Sequence, residues 1–302
     1  MQPDTYRVPE HDREVLIAPP RDEAVRLGFR FIADADHSVA SRTVALKPPQ
    51  PHLTHEDAAL ASAADQTDEK RHLFVADVHL EPGGGPRTRR FEQFLEYARD
   101  HGDVVYVLGD LFDLWLGAGH EADYAQVLAT MKSATQRGLK LYLLPGNRDF
   151  LMGPEIARHS GATLLPEHVE LQLGGQRCLI CHGDQFCTAD PRYQRLRFWV
   201  RSWPVRAAAR LLPMPLKRWL AACIKRRSDS DLIQKSEQQT GLVESEIRKV
   251  IDHGIDVVIC GHAHNRQARA IGHGRLFVLD DWHDAATALA CINSRWEWLD
   301  IP

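Results

Sequence analysis

The chain has 302 residues, a formal net charge of −4, 44% hydrophobic and 26% charged side chains. That is the balance of a soluble globular chain able to bury a substantial core as one large domain or two small ones, and it argues against bulk attraction to polyanions. No apolar run approaches the ~20 residues needed to span a bilayer, and Met1-Gln2-Pro3-Asp4 does not begin a signal peptide, so a cytoplasmic location is expected.

Residues 1–70 differ from the rest. They hold seven of the 17 prolines and thirteen acidic against eight basic side chains. Val15-Leu16-Ile17 and Phe29-Arg30-Phe31-Ile32 have the composition of short strands. Pro19-Pro20, Pro48-Pro49-Gln50-Pro51 and the polar tract from Ala58 to Lys70 read as linker. This part is expected to be an N-terminal extension, partly ordered or linker, with residues 71–302 forming the main domain.

From Arg71 the pattern becomes strand, helix, strand. Thr88 to His101 carries Phe91, Phe94, Leu95 and Ala98 at helical spacing, and His120 to Arg137 carries Tyr124, Val127, Leu128 and Met131. A short helix is predicted from Pro154, a favoured first-turn residue, to Ser160. Val169 to Leu173 and Gln176 to Cys181 flank Gly174-Gly175 as a hairpin, and two more hairpins are expected over 269–279 and 287–299. Parallel units followed by hairpins predict an α/β sandwich: two packed mixed sheets with helices outside. Of the six cysteines, Cys178 and Cys181 form a C-x-x-C. Three positions apart on a strand they point to opposite faces, so they read as buried thiols in a reducing compartment.

Five apolar runs end on metal-type donors. Leu73-Phe74-Val75-Ala76 leads to Asp77 and His79, and Val104-Val105-Tyr106-Val107 to Leu108-Gly109-Asp110. Leu141-Tyr142-Leu143-Leu144 leads to Gly146-Asn147-Arg148-Asp149, Cys178-Leu179-Ile180-Cys181 to His182, and Val257-Val258-Ile259-Cys260 to His262 and His264. Ligands in α/β sheets collect beyond the carboxyl ends of strands. Asp77, His79, Asp110, Asn147, His182, His262 and His264 make seven nitrogen and oxygen donors, and one bridging carboxylate lets them give two ions four ligands each. Asp110 is the expected bridge. Imidazole-rich sets suit manganese, iron or zinc better than magnesium or calcium. Two such ions lower the pKa of a shared water and clamp phosphoryl oxygens, so the chemistry needs no protein nucleophile.

The steps between positions 77, 110, 147 and 182 are each about one βαβ unit, but the step to 262 is far longer. The surplus occupies Asp190 to Lys235. Pro191 to Arg227 holds eleven basic residues and no acidic one. Tyr193, Leu196, Val200 and Trp203 recur at helical spacing with Trp199 beside them, as do Leu216, Trp219, Leu220, Cys223 and Ile224. Two basic amphipathic helices of this kind can lie in a membrane interface or roof acyl chains. Apolar faces packed onto the core and a single-stranded nucleic-acid groove are the competing readings. The apolar spacing speaks against the groove, and no nucleic acid is expected.

The series D-x-H, G-D-x-x-D, G-N-x-D, H-G-D and G-H-x-H resembles the calcineurin-like metallophosphoesterases. Leu108 to Gly117, Gly146 to Leu151, His182 to Asp190 and Asp281-Trp282-His283 resemble, more narrowly, the UDP-2,3-diacylglucosamine diphosphatase family of lipid A biosynthesis. The resemblance covers residues 71–302. It implies a two-sheet sandwich with two divalent metals, manganese being the expected ion, and a helical lid at about 190–235. It also implies hydrolysis of UDP-2,3-diacylglucosamine to UMP and 2,3-diacylglucosamine 1-phosphate at the cytoplasmic face of the bacterial inner membrane. Carried over by motif, Asp77, His79, Asp110 and His264 match one metal's ligands, and Asp110, Asn147, His182 and His262 the other's. Asn147, Arg148, Asp190, Ser228, Lys235 and His262 match substrate contacts, and Asp110, Asn147, Arg148 and His182 are the catalytic candidates. Many members of the superfamily have histidine after the asparagine. Arg148 offers a fixed fork of donors but no transferable proton, which suits a pyrophosphate with its good leaving group. Leu232 and Ala189 depart from the narrower pattern, and the last motif lacks its usual Thr and Pro. Another nucleotide-linked lipid or nucleotide substrate, or a non-catalytic binding module on the same fold, are the alternatives.

Overall fold

The computed structural model describes residues 71–101, 103–221, 241–283 and 285–301. The short strands expected before residue 70, Ser228, Leu232 and Lys235 lie outside the described residues. The strands are β1 (His72–Val75), β2 (Val104–Leu108), β3 (Lys140–Leu144), β4 (Thr163–Leu164), β5 (His168–Leu173), β6 (Gln176–Cys181), β7 (Val257–Cys260), β8 (Gln267–Ile271), β9 (Gly274–Val278), β10 (Ala286–Ile292) and β11 (Arg295–Ile301). The helices that matter below are α1 (Pro86–Asp100), α2 (Ala125–Gln136), α3 (Pro154–Ser160), α4 (Pro191–Val200), α5 (Trp203–Leu211) and α6 (Glu244–Asp252). Prolines in the first turn start α1 and α3, where a missing N–H costs nothing. The Gly174-Gly175 turn has both residues at positive φ (55° and 75°), the primed geometry of a two-residue hairpin.

Two mixed sheets result. The first runs β11-β10-β1-β2-β3-β4 and the second β5-β6-β7-β9-β8. β1 through β4 are mutually parallel, as are β6, β7 and β9, while β10, β11, β5 and β8 run antiparallel to their neighbours.

The two-residue period of a strand sorts every central strand between two cores. Phe74, Tyr106, Leu108, Cys178, Ile180, Val257 and Ile259 meet between the sheets. Their neighbours Leu73, Val75, Val105 and Val107 face the opposite way, onto Phe91, Phe94 and Leu95 of α1 and Val127 and Met131 of α2. On the second sheet Leu179, Cys181, Val258 and Cys260 face Ile247 and Ile251 of α6. Sheets buried on both faces are why these strands read as continuous apolar runs. Trp282, fully buried, sets its ring edge-on to Phe91 and Phe94 at 5.9 and 5.5 Å, and truncating such a side chain costs about 3–5 kcal/mol. All five described cysteines are buried and free, with Cys178 and Cys181 on opposite faces of β6.

Candidate active site

The carboxyl ends of β1, β2, β3, β6 and β7 bring Asp77, His79, Asp110, Asn147, His182, His262 and His264 together. The backbone shows how. Asp77, His79, Asp110, His262 and His264 all have positive φ, between 48° and 68°. Among the described residues the only other non-glycine positions of this kind are Asn293 and Ser294, in the β10–β11 turn. A left-handed conformation costs a side chain roughly 1–2 kcal/mol, so strain is concentrated where the donors are. The gain is direction: a residue turned left just past a strand aims its side chain across the strand ends.

Glycine makes room for them. A Cβ on Gly109 (φ 85°) would lie 2.6 Å from Gly146 Cα and 2.7 Å from His182 Nδ1, and one on Gly146 would overlap the Asp110 carboxylate. The loops after β2 and β3 thus touch backbone to backbone. Asp149, fully buried, ties them: its oxygens accept from the N–H groups of Gly146 (2.7 Å), Leu111 (2.8 Å), Asp110 (3.3 Å) and Phe112 (3.4 Å).

Two groups of donors form. In the first, His264 Nε2 lies 3.3 Å from Asp77 Oδ1 and 3.4 Å from His79 Nε2. In the second, Asn147 Oδ1 lies 2.8 Å from His182 Nε2 and 3.0 Å from His262 Nδ1, with Asp110 Oδ1 3.7 Å from His182 Nε2. Carboxylate oxygens and ring nitrogens of Asp77, His79 and His264, and again of Asp77, Asp110 and His182, fall within 4.8 Å of one another. Asp77 is common to both sets, whereas the sequence reading makes Asp110 the shared residue. Both carboxylates are buried side by side.

Second contacts select the nitrogen that faces inward. His182 presents Nδ1 to the Leu108 carbonyl at 3.0 Å, and His264 presents Nδ1 to Asp281 Oδ2 at 3.3 Å. Each leaves Nε2 toward the other donors, the usual way a ligating ring is oriented. Burial keeps His79 and His262 neutral, lowering them to about 3 and about 4. Burial pushes the Asp110 carboxyl up to about 7 against the pull of His182. Burial works the same way on Asp77, but His264, His182 and His79 hold it near 2. One carboxylate of the pair is charged and the other resists charging, a conflict that a cation between them removes. Asp77 Oδ1, buried, accepts no hydrogen bond among the described residues. A buried carboxylate oxygen with imidazole nitrogens of His264 and His79 within 4 Å fits a divalent cation.

Arg148 stands at the rim. Its backbone N–H donates to Asp110 Oδ1 (2.8 Å), NH1 donates to Asp113 Oδ1 (2.5 Å), and Nε lies 3.6 Å from Asp110 Oδ2. The half-buried guanidinium is held between the carboxylates of Asp110 and Asp113. Asp190 is buried and caps α4, its Oδ1 accepting from the N–H groups of Arg192 and Tyr193.

The insertion departs from its sequence reading. Tyr193 to Trp203 is not one helix: α4 ends at Val200, and α5 begins at Trp203. A further helical run covers 214–221. On α4 the inward face is polar. Tyr193 Oη, Arg197 Nε and Arg201 NH2 all donate to Asp184 Oδ2, at 3.1, 2.8 and 2.8 Å, and Gln194 donates to the carbonyls of Asp184 and Cys187. The apolar side chains point out, with Phe198 73%, Trp199 66%, Trp203 77% and Leu211 87% exposed. Packing of an apolar face onto the core is therefore not what α4 does. A helix forms here, and the buried carboxylate of Asp184 draws Tyr193, Arg197 and Arg201 to its inner side. Asp149, Asp184, Arg197, Arg201 and Asp281 have no individual role in the sequence reading, and Tyr193 is placed there in an apolar stripe. Asp149 and Asp184 stood inside G-N-x-D and H-G-D, and Tyr193, Gln194, Arg197 and Arg201 share one helical face, so the signal was present.

A family model described as calcineurin-like phosphoesterase matches residues 70–266. A UDP-2,3-diacylglucosamine hydrolase of Pectobacterium carotovorum is 34% identical over 236 residues, covering 76% of this chain and 98% of the relative. One of Pseudomonas aeruginosa is 33% identical over 223 residues, covering 72% and 93%. Among solved structures, an archaeal phosphodiesterase covers 76% of this chain and 99% of its own, with a TM-score of 0.41 at 11% identity. The chain belongs to the calcineurin-like phosphoesterase family and, within it, to the UDP-2,3-diacylglucosamine hydrolases.

Proposed function

We propose that this protein hydrolyses the pyrophosphate bond of UDP-2,3-diacylglucosamine, giving UMP and 2,3-diacylglucosamine 1-phosphate. The observation that carries this is the convergence of the seven donors from five strand ends on one place, in a chain that matches these hydrolases over most of their length.

Asp77, His79, Asp110 and His264 would hold one divalent ion, and Asp110, Asn147, His182 and His262 the other, with manganese the ion the mixed oxygen and imidazole set suits. Bound there, such ions supply Lewis-acid activation of water and neutralise charge on phosphoryl oxygens. The protein's own contribution is orientation and charge. Arg148, steadied by Asp113, presents its donor fork to the oxygens of the pyrophosphate, where charge grows in the transition state. Water adds at the α-phosphorus and its oxygen leaves in UMP. The departing lipid 1-phosphate is a phosphate monoester, a leaving group that needs no proton from the protein, consistent with an arginine in place of a proton donor. Asn147 and His262, beside Arg148, would contact the same phosphates, and Asp190, Ser228 and Lys235 the rest of the substrate.

The outward Phe198, Trp199, Trp203 and Leu211, interleaved with Arg192, Arg195, Arg206 and Arg210, support a lipid-facing role for the insertion. Aromatic and aliphatic groups enter the acyl boundary while guanidinium groups meet anionic headgroups. No helix of the described residues is long and apolar enough to cross a membrane. The reading is of a peripheral protein on the cytoplasmic face of the inner membrane. The test is turnover of UDP-2,3-diacylglucosamine beside a plain UDP-sugar and a cyclic nucleotide, with and without manganese. UMP from the acylated substrate alone is the expected result, and preference for either of the other two would overturn it.

A further inference from the structure

Arg201 sits at the C-terminal end of α4 and makes contacts that no other described residue of the insertion makes. One NH2 group donates both to Asp184 Oδ2 (2.8 Å) and to the Gly146 carbonyl (2.9 Å), and NH1 lies 2.6 Å from Glu167 Oε2. Asp184 follows His182 by two residues on the second sheet. The Gly146 carbonyl belongs to the peptide that enters Asn147 on the first. Arg201 therefore ties together the two loops whose side chains, Asn147 Oδ1 and His182 Nε2, meet at 2.8 Å. Gly146 is held on both sides: its N–H, in the peptide that precedes it, donates to Asp149, and its carbonyl, in the peptide that leads into Asn147, accepts from Arg201. With the preceding plane held by Asp149, the Arg201 bond to the Gly146–Asn147 peptide fixes the direction in which Asn147 leaves the backbone. Arg201 is only 8% exposed at its side chain and Asp184 1%, so the contact is dry and its geometry is not shared with solvent.

Arg197 provides the contrast. It makes the same two carboxylate contacts, Nε with Asp184 at 2.8 Å and NH2 with Glu167 at 2.7 Å, and among the described residues makes no hydrogen bond to the Asn147 loop. We propose that Arg201 is a positioning residue for Asn147 and His182, so that seating of the insertion's first helix is a condition for the second group of donors to bind a divalent cation. The apolar outer face of α4 and its polar inner face then belong to one device: whatever the outer face meets, the inner face reports to the metal position. This rests on reading that group as a metal position, and the experiment separates the two ideas.

The full chain, wild type and with Arg201→Lys, Arg197→Lys or Glu167→Gln, is titrated with manganese by calorimetry, with melting temperatures and kcat and KM for UMP release measured alongside. The wild type is expected to bind two equivalents. R201K should weaken one of them roughly ten- to a hundredfold, as loss of an outer partner does, with kcat falling and KM held. R197K and E167Q should lower the melting temperature while leaving both equivalents within about threefold of wild type, short of the roughly tenfold or greater loss that follows removal of an outer partner. If R201K lacks a cooperative melting transition, R201Q is judged by the same comparison. R201K binding both equivalents as R197K does, or R197K losing the same equivalent, overturns the positioning role while leaving the site intact. A wild type that binds no manganese overturns the reading of the site, and the inference with it.

Discussion

Asn147 Oδ1 lies 2.8 Å from His182 Nε2, although the two residues leave different sheets. Only a close approach of the sandwich's two sheets at their carboxyl ends allows this, and Gly109, where a Cβ would lie 2.7 Å from His182 Nδ1, is what permits it. Replacing His182 with Gln removes the nitrogen that faces Asn147 and Asp110. Loss of a ligand to an ion that stabilises several kcal/mol of transition-state charge predicts at least about a hundredfold fall in kcat. Steady-state kinetics with manganese in excess checks it, and retention of wild-type turnover would remove His182 from the site.

Arg148→Ala is expected to lower kcat/KM by about a hundredfold or more, the scale of losing a donor aimed at developing charge. Arg148→Lys should recover only part, because a point charge does not replace a fork. Asp113→Asn, which loosens the 2.5 Å partner of NH1, should fall between wild type and Arg148→Lys.

Asp149→Ala leaves four buried backbone N–H groups without an acceptor. At about 1–3 kcal/mol for each unsatisfied group, partly recovered by relaxation and entering water, a loss of at least about 3 kcal/mol is expected. Urea unfolding measures it. A loss below about 1 kcal/mol would mean that the loops after β2 and β3 are held by other contacts.

Burial pushes the thiols of Cys178, Cys181 and Cys187 up to about 12 and that of Cys291 to about 11. The phenols of Tyr106 and Tyr124 are raised for the same reason. Groups whose folded pKa exceeds the unfolded one hold more protons when folded. Their contribution to stability is complete below the unfolded value, 9 for the thiols, and is lost as pH climbs through the folded values. Stability should therefore fall steadily above pH 9, and the native chain at pH 8 should leave these four thiols unlabelled by a thiol reagent, read by peptide mass spectrometry.

Much of this site was legible as donors at the ends of apolar runs, because strands buried on both faces cannot hide where they stop. Trp115 was legible only as motif, and is in fact a buried core side chain. The left-handed backbone at Asp77, His79, Asp110, His262 and His264 was not legible, since nothing in an aspartate or histidine announces it. The insertion misled for a physical reason. Hydrophobic periodicity identifies a helix with two faces but not which face is inside, and the answer depended on one buried carboxylate, Asp184, lying seven or more residues away in the chain.

The exposed aromatic side chains of α4 and α5 bear on a further expectation. Replacing Trp199 and Trp203 with Ser should abolish sedimentation with vesicles containing anionic phospholipid and leave the melting temperature within about 2 °C, because neither ring is buried. Undiminished sedimentation would assign membrane contact elsewhere.

The most direct measurement is the release of UMP from UDP-2,3-diacylglucosamine by the purified full chain in the presence of manganese, compared with Asp110→Ala. The predicted result is one UMP and one 2,3-diacylglucosamine 1-phosphate per substrate with wild type, and none with the variant. Intact substrate at micromolar wild-type enzyme, or equal release by Asp110→Ala, would contradict the account.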